Sequence, residues 1–166
     1  LIRAILLRSR DEWEWIDKVP KVKLFKEGPG RERSITVEQA RSLLGQLPAH
    51  QRDVVTFALA TGLRQSNVLG LEWSHVDLDA GHAWVDADQS KNGKPIAVPL
   101  NVTALEVLRR QLGKHARRVF TYAGKPLANA NTRAWRKALN RAGIQNFRWH
   151  DTRHTWATWH RQSGTP

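Results

Sequence analysis

Cysteine is absent from this 166-residue chain, and so is methionine, even at position 1. Without thiols there are no disulfides and no thiolate metal sites, so the cysteine pattern names no compartment. The missing initiator leads us to expect a chain that begins inside a longer polypeptide or after processing. No apolar run approaches the ~20 residues a bilayer requires, and nothing resembles a signal peptide. A soluble intracellular protein, away from membranes, is the expectation. Acidic residues are scarce: 15 Asp and Glu stand against 27 Lys and Arg, a formal charge of +12. The basic residues are scattered along the chain, a balance that favours a polyanionic partner such as nucleic acid. Tyrosine occurs once, as Tyr122.

The length suits one domain with a fragment of a neighbour. Residues 1–18 read as the end of a preceding helix, with Ile2, Ile5, Leu6, Trp13 and Ile16 spaced as an apolar stripe running to about Asp17. Residues 19–33 carry Pro20, Gly28, Pro29 and Gly30 among alternating charges and read as a linker. Residues 34–166 form the main domain. Thr36 and Gln39 make a capping box for a helix whose face is Val37, Ala40, Leu43, Leu44 and Leu47. A second helix, His50 to Thr61, stops at Gly62, and a short one opens at Gln65 or Ser66, so Arg64 lies at a rigid junction.

From Val76 to Leu100 the pattern turns to short strands at 76–78, 83–85 and 96–98, with a tight hairpin expected at Asn92-Gly93 and Lys91 beside it. Asn101 caps a helix with Val102, Leu105, Leu108 and Leu112 inward. An extended segment at 118–121 precedes a turn at Gly124-Lys125-Pro126. Asn131 or Thr132 starts a helix burying Trp135, Ala138, Leu139 and Ala142, and a last helix runs from Trp149 or His150 to about Gln162. The fold class is therefore α+β, predominantly helical with a small antiparallel sheet. The eight tryptophans are read mainly as core; His50, His75, His82, His115 and His160 are read as surface residues without a partner motif.

Two polar constellations carry chemistry: Thr61-Gly62-Leu63-Arg64 and His150-Asp151-Thr152-Arg153-His154. Arginine forks donate paired hydrogen bonds to phosphate oxygens, and imidazole moves protons near neutral pH. On a helix His150, Arg153 and His154 share one face. Joined with Arg64 and Lys91, they compose a phosphoryl-transfer site: two guanidinium groups on nonbridging oxygens, an imidazole, and a lysine able to protonate a leaving oxygen. Neither metal nor cofactor is then needed. His150 and His154 also have zinc-helix spacing, but Asp151 replaces the glutamate of a metalloprotease motif and Arg153 would set a cation beside the metal.

TGLRQSNVLGLEW (61–73), QSKNGKPIAVPL (89–100) and WHDTRHTWATWH (149–160) together resemble the tyrosine recombinases, the phage integrase family, from about Arg33 to Pro166. The resemblance implies the DNA breaking-rejoining enzyme fold, a core-binding domain upstream of the linker, and strand exchange in double-stranded DNA through a 3′-phosphotyrosyl intermediate, with self-association on DNA. It assigns Arg64 as the first catalytic arginine and Lys91 as general acid on the 5′-hydroxyl. His150 would assist proton transfer and phosphate binding, and Arg153 would complete the clamp. Three departures stand out. Asn67 occupies a position where many members have an acid; the later histidine or tryptophan is not found; and the nucleophilic tyrosine, expected some tens of residues after His150-x-x-Arg153, is not in this chain. Tyr122 precedes the motif and is not assigned that role. The expectation is a recombinase catalytic domain without its C-terminal portion, inactive alone but binding DNA phosphates. The alternatives are a noncatalytic DNA-binding module of the same fold, an RNA-binding domain, and a zinc hydrolase using His150 and His154.

Overall fold

The computed structural model describes residues 2–21, 23, 33–89 and 93–164. The chain divides into two compact units, Leu1–Arg31 and Glu32–Pro166. In the first, helix α1 covers Ile2–Asp11, ending well before Asp17. Its final turn is closed by the amides of Glu12 and Trp13 on the Arg8 carbonyl and of Trp15 on the Ser9 carbonyl, with Glu14 left-handed at φ 52°. A non-glycine residue makes this stop, so no glycine marks it in the sequence. Ile2, Ile5, Trp13 and Trp15 are exposed, which removes the apolar stripe expected there.

The second unit is built around one helix. Among its described residues are α2 (Val37–Gly45), α3 (Ala49–Thr61), α4 (Gln65–Leu69), β1 (Val76–Asp77), β2 (His82–Val85), β3 (Ile96–Pro99), α5 (Val102–Gln111), β4 (Thr121–Tyr122), β5 (Lys125–Pro126), α6 (Arg133–Arg141) and α7 (Asp151–Gln162). Helix α3 is buried nearly all round, through Val54, Val55, Phe57, Ala58 and Leu59, as a central helix must be. It packs against α2, α4, α5 and α7. Its polar residues are used as ties. Asp53 accepts from Arg110 and from Gln111 Nε2 (2.6 Å) on α5, and Gln51 Nε2 donates to Thr132 Oγ1 at the cap of α6 (2.6 Å).

The Thr36–Gln39 capping box is present at the start of α2. Asn101 caps α5, whose inward face is Ala104, Val107, Leu108 and Gln111; Val102 and Leu112, expected inward, are exposed. Packing against α3 selects positions 104, 107, 108 and 111 as the buried stripe, and the two apolar end residues fall outside it.

Strands β1, β2 and β3 form an antiparallel sheet with β2 central. Ala83 and Val85 point to the core and His82 and Trp84 to solvent, the period-two alternation of a one-sided sheet. Asp77 Oδ1 accepts the amides of Asp79 and Ala80 and shapes the first turn. The second connection is no tight hairpin: Val85 pairs with Ile96, so residues 86–95 intervene. Gly93 is left-handed at φ 63°, while Asn92 and Lys91 lie outside the described residues. Strands β4 and β5 form a small hairpin turning at Ala123 and Gly124, both left-handed; Lys125 and Pro126, expected in the turn, belong to the returning strand.

Of the tryptophans, Trp135 and Trp149 are core; Trp73, Trp156 and Trp159 are half-buried, and Trp13, Trp15 and Trp84 are exposed. The core expectation thus overstates their burial. Several histidines also have partners. His50 stacks on Tyr122 with ring centroids 4.1 Å apart, His75 pairs with Asp86 at 3.2 Å, and His115 Nδ1 accepts the amides of Arg117 and Arg118.

Candidate phosphate-binding active site

Helix α3 ends at Gly62, left-handed at φ 64°, whose amide caps the Ala58 carbonyl. Two residues later Arg64 is the N-cap of α4, with Leu63 between them buried in the core. Arg64 therefore leaves a junction fixed on both sides. From the other end of the chain, α7 is locked through its buried face. Asp151 accepts the Arg148 amide at 2.7 Å, Thr155 Oγ1 donates to the Asp151 carbonyl, and Trp159 Nε1 donates to the Ile35 carbonyl.

The two constellations meet at Gly62. Arg153 Nη1 donates to the Gly62 carbonyl at 2.6 Å across 91 positions of sequence. The Trp156 ring lies so close to Gly62 that a Cβ there would stand 2.5 Å from two ring carbons. Glycine is needed at this position twice, once for its backbone conformation and once for this contact. Burial first, and the Arg64 charge second, hold the Arg153 guanidinium below its ordinary pKa range. The Arg64 charge is thus near enough to be felt by Arg153, and arginine stays protonated despite such a shift.

His150 is the exposed N-cap residue of α7. Its ring meets that of His154 edge-on, with centroids 5.2 Å apart. Among the described residues no group of three or more His, Cys, Asp or Glu side chains assembles as a metal site. Asn67 is buried, and its Oδ1 faces Ser66 Oγ at 3.4 Å. Arg153 meets the segment that carries Arg64 through the Gly62 carbonyl, and His150 lies one turn from Arg153 at the start of α7; Lys91 lies outside the described residues. Tyr122 stands against His50, which lies near the opposite end of α3, about 18 Å from Gly62 along the helix axis.

Two contributors escaped the reading of the sequence. The Gly62 carbonyl acts through the backbone, which motif chemistry does not display. Trp156 lies three positions after Arg153 and so on its face, a spacing that could have separated it from the other tryptophans.

The fold is shared by solved integrase and recombinase structures. The Tn1549 transposon integrase in complex with a circular intermediate DNA superposes with a TM-score of 0.70 at 17% identity, over 86% of this chain and 57% of that one. A lambda integrase dimer bound to a COC′ core site gives 0.65 at 22% identity, over 82% and 55%. The fold class is thus the one these integrases share. The phage integrase family model matches residues 33–166, and the chain belongs to that family. It is 41% identical to the integrase of Salmonella phage P22 over 179 residues, covering 99% of this chain and 46% of that protein. Against the shufflon-specific DNA recombinase of Escherichia coli it is 30% identical over 161 residues, covering 93% and 40%. The chain therefore spans less than half the length of these curated relatives. Among the described residues no helix is long and apolar enough to cross a membrane.

Proposed function

We propose that this chain supplies the charge-stabilising half of a site-specific DNA recombinase, in a protein that cleaves and rejoins duplex strands through a 3′-phosphotyrosyl intermediate. The observation that carries the reading is the hydrogen bond from Arg153 to the Gly62 carbonyl, which ties Arg153 to the backbone two residues before Arg64, with no described carboxylate paired to either arginine. Such a pair is unfavourable alone and favourable around a phosphate. As attack proceeds, negative charge grows on the nonbridging oxygens, and fixed cations stabilise that state more than the ground state. His150, at the rim, would handle a proton on the attacking or leaving oxygen. Lys91, from the segment between β2 and β3, would give a proton to the departing 5′-oxygen. The domain reading assigns residues 1–18 to the end of a core-binding domain, 19–33 to a linker and 34–166 to the catalytic domain, working as a self-associating assembly on DNA.

Tyr122 is not the nucleophile of this reading. Its ring lies beside His50, at the start of α3, while Arg64 and Arg153 belong to the other end of that helix, so it is not placed for alignment with a phosphate held there. The chain alone is accordingly expected to bind DNA without forming a covalent adduct. The test uses the full protein that contains this chain. Arg64→Ala or Arg153→Ala should abolish covalent protein–DNA adducts while largely retaining duplex binding, since other basic residues supply most affinity. An undiminished adduct yield in either variant overturns the clamp.

A further inference from the structure

A second cationic recess opens beside the clamp. It has a volume of about 430 Å³ and is lined by Arg33, Ser34, His154, Ala157, Thr158 and Arg161. Its wall is a face of α7: positions 154, 157, 158 and 161 continue the row that begins with His150 and Arg153. Ala157 leaves room that a longer side chain would fill, and Ser34 and Thr158 add hydroxyl donors. Among the described residues no carboxylate lines the recess, and none forms an ion pair with Arg33, His154 or Arg161. Arg33 reaches the Gln145 carbonyl through Nη2 over a long 3.4 Å, and its Nε, shielded from solvent, finds no acceptor. Its donor capacity is largely unspent.

We propose that this recess binds a backbone phosphate of the same DNA duplex, next to the phosphate held by Arg64 and Arg153, and so sets the register in which the strand enters the clamp. The proposal rests on the DNA reading above. The chemistry of the lining is that of a phosphate site: guanidinium groups from two sides, an imidazole and hydroxyls, with no acid among the described lining residues. The spacing also fits. Ala157 lies one helical turn beyond Arg153, about 6 Å along α7, while a DNA strand advances about 3.4 Å along its axis per phosphate. The recess therefore matches the first or second phosphate beyond the one in the clamp. His154, edge-on to His150, forms the border between the two positions. Holding the strand at two points fixes its direction as well as its place, which a single clamp cannot do.

Salt dependence of duplex binding tests this directly, because each neutralised phosphate contributes about 0.9 to the slope of log K against log salt. Arg33→Gln, His154→Gln and Arg161→Gln are compared with the unaltered protein, with thermal unfolding as the control for folding; Arg161 is exposed, so its variant leaves the core intact. Each arginine variant should weaken binding several-fold and lower the slope by about one, and Arg33→Gln/Arg161→Gln should also lose only about one, since both hold one phosphate. Unchanged slopes overturn the proposal, and a loss of about two in the double variant overturns the shared phosphate. A second arm titrates inorganic phosphate and follows the His154 ring by NMR. Saturation at micromolar phosphate with unchanged duplex slopes assigns the recess to free phosphate and overturns the DNA assignment. If the unaltered protein shows no salt-dependent duplex binding, the function proposed above falls too; a steep slope that the variants leave untouched removes the recess alone.

Discussion

The two ends of α3 treat positive charge in opposite ways. Near its start, Asp53 sits buried and takes hydrogen bonds from Arg110 and Gln111, so the cation is matched by an acid and ties α3 to α5. At its far end, Arg153 is tied to a neutral carbonyl and feels the Arg64 charge, with no described carboxylate paired to either. Paired arginines elsewhere follow the first pattern: Arg117 and Arg118 both meet Glu72, whose carboxyl they hold below its ordinary range through the Arg117 hydrogen bond first. In this molecule a neutralised cation holds the fold together. An unneutralised one is held in place by the fold, and in the function proposed above a phosphate supplies its missing counter-charge.

The largest effect should come from the backbone under the unpaired end. Gly62→Ala places a Cβ in the Trp156 ring and forces a left-handed alanine, costing about 3 kcal/mol in denaturant unfolding. Adding Trp156→Ala removes the clash and should recover part of that loss; no recovery would mean that Trp156 is not the obstacle. Next comes the exchange between ends. Arg153→Ala should lower adduct formation by at least about 100-fold while changing stability by about 1 kcal/mol or less, because relief of repulsion with Arg64 offsets one lost hydrogen bond. Arg110→Ala should do the reverse, costing about 1–2 kcal/mol and leaving adduct formation intact. If both variants lose activity and stability together, the contrast between the ends fails.

A smaller effect belongs to pH. Burial holds His50 below its ordinary value of 6.5, so the folded chain binds that proton less readily than the unfolded one. The contribution is complete above about pH 6.5 and is lost as pH falls below it. Thermal unfolding between pH 7.5 and about 5 should thus show a decline that His50→Gln reduces. An equal decline in the variant would place the titrating group elsewhere.

Much of this frame was legible from local rules. Thr36-x-x-Gln39, the Gly62 stop and the Asn101 cap each satisfy backbone groups through their own side chains or lack of one, so they survive any tertiary context. Helix phase and loop length were less legible. Val102 and Leu112 are apolar yet exposed, because only tertiary packing decides which stripe of α5 meets α3. Asn92-Gly93 has hairpin chemistry, but the strands stop at Val85 and Ile96. The clamp residues could be named from motif spacing; their support could not. The Gly62 carbonyl is invisible to side-chain patterns, and Arg33 reaches its recess from a stretch that reads as linker.

The claim at the centre is that Arg64 and Arg153 act on the charge of the attacked phosphate. It is tested most directly by trapping adducts of the full protein on DNA carrying a neutral methylphosphonate at the attacked position. With that charge removed, Arg153→Ala should form adduct at a rate close to the unaltered protein, while remaining at least about 100-fold slower on ordinary DNA. Equal impairment on both substrates would contradict the account, since the arginine would then be serving the fold and not the phosphate.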